Sequence, residues 1–324
     1  MKILVAGGGG YIGSVMVPML REHGYFVTVA DFGWFGDEGV DVKGDLFKLT
    51  SKDLSSYNQL IFLGGLSNDP MAEFDPSMNY IYNAALPAYL AYEFKKSSSD
   101  YKRFIYASTC SVYGYTQEEL FDESAPTTCQ YPYGVSKLQG EVGVLQQQSD
   151  DFSVVSLRQG TVCGYSPRMR FDLIVNTMYK CAMQDGLIKV NNPSIWRPLL
   201  DIRDTCNAFL RATQASEKVS GVFNVASDNY TVGQVADMVK AQVESLHPDR
   251  KIAVEINDVQ DFRNYKVAWD KASTVLGFRP QYDVSDMITE INNHYVTDGY
   301  DFSDKKYYNI EVFKEANIKG NLLK

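Results

Sequence analysis

Short apolar runs alternate with longer amphipathic segments along the first half of the chain, a pattern typical of strands joined by helices. The predicted strands are Ile3–Val5, Phe26–Ala30, the weaker Val40–Lys43, Leu60–Leu63, Arg103–Ala107 and Val154–Leu157. The predicted helices between them are Tyr11–His23, Asn79–Lys96 and Tyr133–Gln148. Pro87 should kink or break the second helix. This alternation predicts parallel strands connected by crossover helices.

After Gly164 the pattern changes, because strand–helix alternation gives way to scattered aromatic residues and prolines. Helical spacing returns in three segments, Thr205–Ala215, Val232–Leu246 and Val284–Tyr295. We therefore predict an α/β protein with a doubly wound parallel sheet in residues 1–165 and a smaller C-terminal α/β substrate-binding lobe in residues 166–324. A segment from about 196–228 is expected to be interleaved with the first domain. The polar, tyrosine-rich stretch from about Asp298 is expected to be a loosely held tail.

Composition and charge exclude several classes of function. The 324 residues carry a formal net charge of −9, which disfavours nucleic acid as a partner because phosphates require a basic surface. No apolar run approaches the roughly 18–20 residues that span a bilayer, and the start of the chain is expected to enter the fold rather than to act as a signal peptide. The five cysteines lack paired spacing, which favours a reduced compartment. We therefore predict a cytoplasmic enzyme with neither a membrane nor a nucleic-acid partner.

The sequence VAGGGGYIGS, at residues 5–14, places a glycine-rich turn between the first predicted strand and the first predicted helix. In this G-x-x-G-x-x-G spacing, Gly7 permits a tight turn, Gly10 lets the backbone approach a pyrophosphate, and Gly13 lets the helix pack on the strand. The N–H groups and partial positive charge of the helix N-terminus favour phosphates. The predicted turn also includes Tyr11 and Ile12. Together these features predict a Rossmann-type, dinucleotide-binding fold.

Asp31 ends the second predicted strand, where a carboxylate can accept hydrogen bonds from both hydroxyls of an adenosine ribose. Its charge would repel a 2′-phosphate, and no arginine lies beside it in the sequence, so NAD is favoured over NADP. Asp45 and Leu46, after the third strand, are predicted to border the adenine. Leu63, at the end of the fourth strand, completes the predicted cofactor site.

Two further stretches carry candidate chemistry. YASTCSVYG (106–114) follows a strand and contains Thr109, while YPYGVSK (131–137) opens a helix with Tyr133 and Lys137 four residues apart. This spacing puts a phenol and an ammonium on one helix face. The ammonium, helped by an oxidised nicotinamide, should lower the pKa of Tyr133, so that Tyr133 accepts a proton from a substrate hydroxyl. Thr109 would hydrogen-bond to the same substrate oxygen, and Lys137 would hold the nicotinamide ribose.

From Met1 to about Tyr295 the chain resembles the extended short-chain dehydrogenase/reductases, in particular the NAD-dependent nucleotide-sugar epimerase/dehydratase family. The motifs that carry the resemblance are the glycine turn, Asp31, the S-T-x-x-V-Y-G strand end, Y-x-x-x-K and WRPLLDIRD (196–204). SPRMRFDLIVN (166–176) and WRP resemble especially the subgroup of GDP-heptose 4-dehydrogenases and 4-epimerases. The resemblance implies NAD as cofactor, a nucleotide-diphosphate sugar as substrate, and a homodimer that pairs the helices near 79–96 and 133–148.

The resemblance also implies which residues contact the substrate. Arg197 falls where the family places a diphosphate-binding arginine, although Pro198 and Asp201 replace the usual Asp and His. The planar fork of an arginine suits a diphosphate. The other predicted substrate contacts are Asn83, Ser111, Arg168, Arg170, Asn176 and Arg263.

The residues after Thr109 restrict the reaction. In the 4,6-dehydratases of the family an Asp and a Glu follow the catalytic Thr, whereas this chain has Cys110 and Ser111. Without carboxylates the elimination is disfavoured, and Cys110 is interpreted as a buried packing residue. We predict oxidation at C4 of a hexose or heptose, followed by epimerisation or by release of the 4-keto sugar.

Three alternatives stay open. A 4,6-dehydratase is disfavoured by Cys110 and Ser111, and a reductase of a small carbonyl compound would need no arginines for a diphosphate. A non-catalytic, dinucleotide-sensing protein on a reductase fold would not need an intact pair of Tyr133 and Lys137. The three histidines give little support to a metal site, and none is predicted.

Overall fold

The first part of the chain is built on one parallel sheet. The structure is a computed structural model that describes residues 1–98, 100–257 and 264–318. The described strands are, in chain order, β1 (Lys2–Ala6), β2 (Phe26–Asp31), β3 (Val42–Lys43), β4 (Gln59–Phe62), β5 (Lys102–Thr109), β6 (Tyr115–Phe121), β7 (Phe152–Gln159), β8 (Thr161–Cys163), β9 (Leu187–Asn191), β10 (Trp196–Asp201), β11 (Gly221–Val225), β12 (Asp228–Thr231), β13 (Ala253–Asn257) and β14 (Asn264–Val267). Seven of them form a sheet in the order β11-β7-β5-β4-β1-β2-β3, in which all neighbours are parallel. The order reverses between β1 and β4, and such a switch point is where ligands bind at the carboxyl edge of a sheet.

Helices cover both faces of this sheet. The described α-helices are, in chain order, α1 (Gly13–Glu22), α2 (Ser51–Leu54), α3 (Asp69–Phe74), α4 (Pro76–Tyr80), α5 (Leu86–Lys96), α6 (Pro132–Leu145), α7 (Ile174–Asp185), α8 (Ile202–Gln214), α9 (Val232–Leu246), α10 (Val284–Asp298) and α11 (Asn309–Ile318). On one face α1 and α8 pack over a core that includes Leu20 and Phe209. On the other face α5 and α6 cover a core that includes Leu90 and Phe104. Because both faces are covered, β4 is buried along its whole length, as its continuous apolar character predicts.

A further hydrophobic core lies among α7, α9 and α10. Beside it β9 pairs with β13, while β10 pairs with β8 and β12. Capping boxes at Thr231 and Asp283 begin α9 and α10, which explains why the apolar pattern located both starts correctly. The predicted interleaved segment 196–228 contributes β11 to the large sheet. The domain boundary at residue 165 stays a prediction.

The predicted helix Asn79–Lys96 consists of three segments. The end of α4 continues into a π-helical turn at Ile81–Ala85, and α5 follows. Pro87 lies in the first turn of α5, a position where its missing N–H leaves no acceptor unpaired. The backbone stays right-handed helical at both junctions, so Pro87 does not break the helix, and only the hydrogen-bond pattern changes one turn before it.

The predicted α/β class with a doubly wound parallel sheet is confirmed. The expectation of a loosely held tail after Asp298 is wrong, because the segment 299–316 packs against two cores. Phe313 is fully buried in one of them, and Tyr300 and Phe302 pack against the other. Many charged residues lie between these apolar side chains in the sequence, so the composition of the segment gave no sign that it packs against a core. Within the described ranges, no helix is long and apolar enough to cross a membrane.

Candidate functional site

A cavity of about 760 Å³ lies at the carboxyl edge of the parallel sheet. Residues that follow β1, β2, β4, β5 and β7 line it, as a switch point requires. The predicted site residues that line this cavity are Gly7, Gly10, Tyr11, Ile12, Gly13, Asp31, Leu46, Leu63, Thr109, Ser111, Tyr133, Lys137, Arg170 and Arg197. The fold therefore brings residues predicted for the cofactor, for catalysis and for the substrate to one space.

The glycine turn forms one wall of the cavity and leaves no room for a side chain at two positions. Gly7 has a φ of +85°, and a Cβ there would collide with the backbone of Gly64. A Cβ on Gly13 would collide with the carbonyl group of Gly8. At Gly10 the nearest atom to an added Cβ would be the Gly7 oxygen at 3.5 Å, so the space beside Gly10 is open to the cavity. A bare backbone surface that a Cβ would fill is what a dinucleotide pyrophosphate requires.

Asp31, at the end of β2, also faces this cavity and is 9% exposed. Its Oδ2 accepts a hydrogen bond from the N–H of Gly9 at 3.0 Å, and its Oδ1 accepts one from the N–H of Gly33 at 2.9 Å. Burial raises the pKa of Asp31, and these backbone hydrogen bonds offset part of the rise. Each carboxylate oxygen keeps a second lone pair, so ribose hydroxyls can still donate to it.

Tyr133, from α6, lies in the cavity wall with Thr109, from the end of β5. Burial raises the pKa of Tyr133 above its ordinary value, and the carboxylate of Asp69 adds to this rise. Arg170 and the Thr109 hydroxyl act in the opposite direction. In the ligand-free protein, desolvation therefore outweighs the favourable charges at Tyr133. The predicted lowering of its pKa includes an oxidised nicotinamide and stays a prediction.

Lys137 follows Tyr133 by one helical turn and is 5% exposed. Its Nζ lies 4.3 Å from the centre of the Tyr106 ring, a distance typical of a cation–π contact. Burial lowers the pKa of Lys137 to about 7, and the carboxylate of Glu141 opposes this change. Glu141 is itself paired with Arg158 at 2.6 Å, so much of its charge is balanced from the other side. Lys137 can therefore gain or lose a proton near neutral pH.

The remaining polar wall contains groups predicted for the substrate. Arg170 is buried and donates two hydrogen bonds to Asp172, at 2.8 and 3.0 Å. The Arg197 guanidinium lies 5.9 Å from the centre of the Tyr265 ring. The Tyr265 hydroxyl lies 3.2 Å from the Oγ of Ser111. Guanidinium groups beside hydroxyl groups suit an anionic ligand that carries several hydroxyls of its own.

Four predicted site residues that the structure describes do not line the cavity. Asp45 caps a short 3₁₀ turn. Asn83 is fully buried, and its Nδ2 donates hydrogen bonds to the loop after β4 and to α6. Asn176 is fully buried as well, and its amide joins backbone segments on either side of it. The Nδ2 of Asn83 and both ends of the Asn176 amide bond to buried protein groups, so these atoms are held away from the cavity. Arg168 stacks on an aromatic ring in a second cavity of about 560 Å³, and Arg263 lies outside the described residues.

Sequence analysis missed several cavity residues. Trp34 lies three residues after Asp31, and this closeness to a strand end was a signal in the sequence that could have placed it in the cavity wall. Asp69, in the first turn of α3, lies in a polar stretch for which no element was predicted. Tyr265 and Asn309 come from segments far from any strand end of the large sheet, and no local pattern connects them with it.

Comparisons with known proteins agree with this geometry. The sequence model of the NAD dependent epimerase/dehydratase family matches residues 3–226. A UDP-glucose 4-epimerase of Halalkalibacterium halodurans is 26% identical over 320 residues, with 90% of this chain and 94% of that protein covered. The UDP-glucuronic acid 4-epimerase from Bacillus cereus, solved with UDP-glucuronic acid and NAD, superposes with a TM-score of 0.80 at 22% identity, covering 93% of this chain and all of that one. MoeE5 in complex with UDP-glucuronic acid and NAD superposes with a TM-score of 0.78 at 23% identity, covering 90% and 97%. At these identities the two superpositions show a shared fold.

Two glycine substitutions should separate folding from ligand binding. Gly13→Ala forces a Cβ onto the Gly8 carbonyl and should lower the free energy of unfolding by at least about 1–3 kcal/mol. Gly10→Ala meets no protein atom closer than 3.5 Å, so its stability should stay within about 1 kcal/mol of wild type. Its Cβ occupies the pyrophosphate surface, and NAD affinity should fall at least about tenfold. Urea unfolding and calorimetric titration measure both quantities, and wild-type NAD affinity in Gly10→Ala would contradict the placement of the pyrophosphate.

A second prediction concerns the pH dependence of stability. Lys137 has an ordinary pKa of 10.5 but a pKa of about 7 in the folded, ligand-free protein. Between these values the unfolded chain holds the proton and the folded protein does not, so the free energy of unfolding should rise with pH. The rise between about pH 7.5 and 9.5 should be steeper in wild type than in Lys137→Met, by at most about 1.4 kcal/mol per pH unit. Urea unfolding at several pH values tests this. The control variant is Lys189→Met, which replaces an exposed lysine of the same cavity and should keep the wild-type slope. Parallel profiles for wild type and Lys137→Met would contradict the prediction.

Proposed function

We propose that this chain, which belongs to the NAD dependent epimerase/dehydratase family, is an NAD-dependent nucleotide-sugar 4-epimerase. The predicted family membership is confirmed, since the family match spans residues 3–226. One observation carries the proposal: a single cavity contains the glycine turn, Asp31, the group of Thr109, Tyr133 and Lys137, and Arg197. A dinucleotide site and a proton-transfer site that share one cavity are what an enzyme needs to oxidise a bound alcohol.

The described residues fit NAD. The open backbone at Gly10 accommodates a pyrophosphate, and the Asp31 carboxylate accepts ribose hydroxyls while it disfavours a 2′-phosphate. When bound, NAD supplies a hydride acceptor and a positive ring charge that favours the phenolate of Tyr133. That charge acts against the desolvation that raises the pKa of Tyr133 in the ligand-free protein.

In the proposed mechanism, residues of the chain accept and return the proton and hold the substrate oxygen in position. Tyr133 accepts the proton of the C4 hydroxyl, and Thr109 hydrogen-bonds to the same oxygen. Lys137, with a pKa lowered to about 7, can exchange a proton with the site near neutral pH. NAD held at Gly10 and Asp31 would take up the C4 hydride as Tyr133 takes the proton, and would supply the hydride again to the other face of the sugar. Tyr133 would then return the proton to the oxygen, so that the sugar would leave as its C4 epimer.

Three features favour a nucleotide-diphosphate sugar as the substrate. Arg197 and the exposed Lys189 provide positive charge in the cavity wall, and Arg170 adds a buried cation that Asp172 partly balances. The hydroxyls of Ser111 and Tyr265 provide hydrogen-bonding partners for a sugar. The named relatives act on UDP-sugars, whereas the predicted resemblance to the GDP-heptose subgroup stays a prediction, so the base and the sugar are questions for a substrate panel.

A second candidate reaction, 4,6-dehydration, has one observation in its favour, the position of Asp69 in the cavity wall. Cys110 is fully buried and Ser111 is a hydroxyl, so neither supplies the acid and base of an elimination. The carboxylate of Asp69, however, lies in the cavity wall near Tyr133, and a carboxylate from α3 is a possible base for the C5 proton. We favour the epimerase because an elimination also needs an acid for the C6 leaving group.

Tyr133→Phe tests the proposed mechanism. The substitution keeps the ring but removes the proton acceptor, so turnover should fall by about 10²–10⁴-fold while NAD affinity stays nearly unchanged. Turnover is measured with UDP- and GDP-sugars by following C4 epimers and NADH absorbance. Cys110→Ala is the control, since a buried thiol that donates to the Arg158 carbonyl contributes packing and should leave most activity intact.

The products decide between the candidate reactions. With deuterium at C4, the label should pass to the nicotinamide and return to the sugar in an epimerase, or stay on released NADH in a 4-dehydrogenase. A 6-deoxy-4-keto product, or an inactive but folded Cys110→Ala variant, would overturn C4 oxidation and epimerisation as the complete reaction. No turnover of any sugar by a protein that binds NAD would favour the dinucleotide-sensing alternative.

We also propose a homodimer through α5 and α6, while a cytoplasmic location stays a prediction. Tyr92 on α5 and Val142 on α6 are 52% and 48% exposed, and exposed apolar side chains on two neighbouring helices suit an isologous contact. Light scattering at micromolar concentration should give a dimer for wild type and a monomer for a Tyr92→Glu, Val142→Lys double variant. Val275→Lys, at a 47% exposed valine on another part of the surface, should stay dimeric. A monomeric wild type would contradict this proposal.

A further inference from the structure

The segment 299–316, which we call the strap, connects the two parts of the protein across the cavity. It begins at Gly299, whose φ of +70° ends α10, and it contains the first residues of α11. The cavity at the carboxyl edge of the sheet and the second cavity both contain strap residues in their walls. The strap is therefore placed to affect whatever occupies the cavity.

At its beginning the strap is fixed to the lobe that contains α7 and α10. Tyr300, Phe302 and Tyr307 surround the buried ring of Phe171, with ring centres 5.2, 4.9 and 5.3 Å away from its centre. The N–H of Phe171 donates to the carbonyl oxygen of Tyr307 at 3.0 Å. Three ring contacts and a backbone hydrogen bond make this a stable attachment.

At its other end the strap is fixed to the core beside the large parallel sheet. Phe313 is fully buried, and its ring centre lies 5.3 Å from that of Trp34 and 6.0 Å from that of Phe74. Trp34 lines the cavity three residues after Asp31. Phe313 is thus one of three rings, with Phe32 and Tyr82, that hold Trp34 beside the cavity.

Between the two attachments the strap places Asn309 and Ile310 in the cavity wall. Asn309 is 4% exposed; its Oδ1 accepts a hydrogen bond from Arg168, and its Nδ2 donates one to the Oγ of Ser67 at 2.7 Å. Arg168 had been predicted to bind substrate, but it stacks on Phe35 with 3.5 Å between guanidinium and ring centre. Asn309 therefore links the glycine-turn side of the cavity to the loop after β4.

Two buried donors beside the strap indicate that a ligand completes this region. Among the described residues, the indole N–H of Trp34 and the Nη2 of Arg168 have no hydrogen-bond partner. Buried donors without acceptors are rare in folded proteins and commonly meet a ligand or an ordered water. An adenosine offers ring nitrogens and ribose oxygens as acceptors.

We propose that the strap is part of the cofactor site: Asn309 and Ile310 contact the bound dinucleotide, and Phe313 holds Trp34 against its adenosine end. This inference rests on the proposed function, since it takes NAD as the ligand of the cavity. The strap then binds more tightly to the rest of the protein when NAD is present, because it gains contacts only in that state.

The test compares strap variants with matched controls. Asn309→Ala and Phe313→Ala should each raise the dissociation constant of NAD by about 5- to 20-fold and speed its dissociation. Phe278→Ala removes an equally buried phenylalanine from the core on the opposite side of the large sheet, so it controls for lost stability. Lys305→Ala, at an exposed strap residue, controls for any change in the strap. Both controls should bind NAD as wild type does.

Limited trypsin digestion gives a second readout, which follows the strap itself rather than the affinity for NAD. The exposed Lys305 and Lys306 lie in the strap, so NAD should slow cleavage after them at least about threefold in wild type but not in Phe313→Ala. Unchanged NAD affinity in both strap variants, or cleavage that NAD does not slow, would overturn the proposal. A wild-type protein that binds no NAD would instead overturn the proposed function, and the strap proposal with it.

Discussion

The cavity depends on backbone segments that approach one another more closely than side chains would permit. Gly7 lies against Gly64 at the ends of β1 and β4, and Gly13 at the start of α1 lies over Gly8. These contacts bring two strand ends and a helix N-terminus around one space at the switch point of the sheet. The buried apolar residues on both faces of the sheet hold the strands in register, so the positions of Asp31 and Thr109 at their strand ends follow from the same constraint.

Local patterns were enough to locate six of the seven strands of the large sheet and the centre of the site. Alternating apolar runs marked the sheet strands because both faces of a parallel sheet are buried, and helical spacing gave α9 with its observed bounds. The residues at strand ends and in the glycine turn were found because chain order fixes which strands end at the carboxyl edge. Gly7, Asp31 and Thr109 are examples, and each needs only its own strand to be identified correctly.

Residues whose role depends on distant segments could not be found in this way. Asn83 and Asn176 matched polar positions of a family, yet their amides bind backbone groups that only the folded chain brings near them. Tyr265 enters the cavity from β14, which pairs with β6 rather than with the large sheet. The electrostatics of Tyr133 depends on distant segments as well: helical spacing revealed Lys137, but not how strongly the surrounding protein removes water from both groups.

The strap has a consequence for how the protein is made. The hydrogen bond between Asn309 and Ser67 spans 242 positions of the chain, so one wall of the cavity closes only after the strands of the large sheet have been synthesised. Contacts of such long sequence separation form slowly, because the loop entropy is lost before the contact is gained. A ribosome-bound chain would thus present a nearly complete parallel sheet whose apolar wall around Trp34 and Phe74 still lacks Phe313. During this interval the nascent chain is exposed to chaperones and to aggregation, and maturation of the cavity becomes the last step of folding.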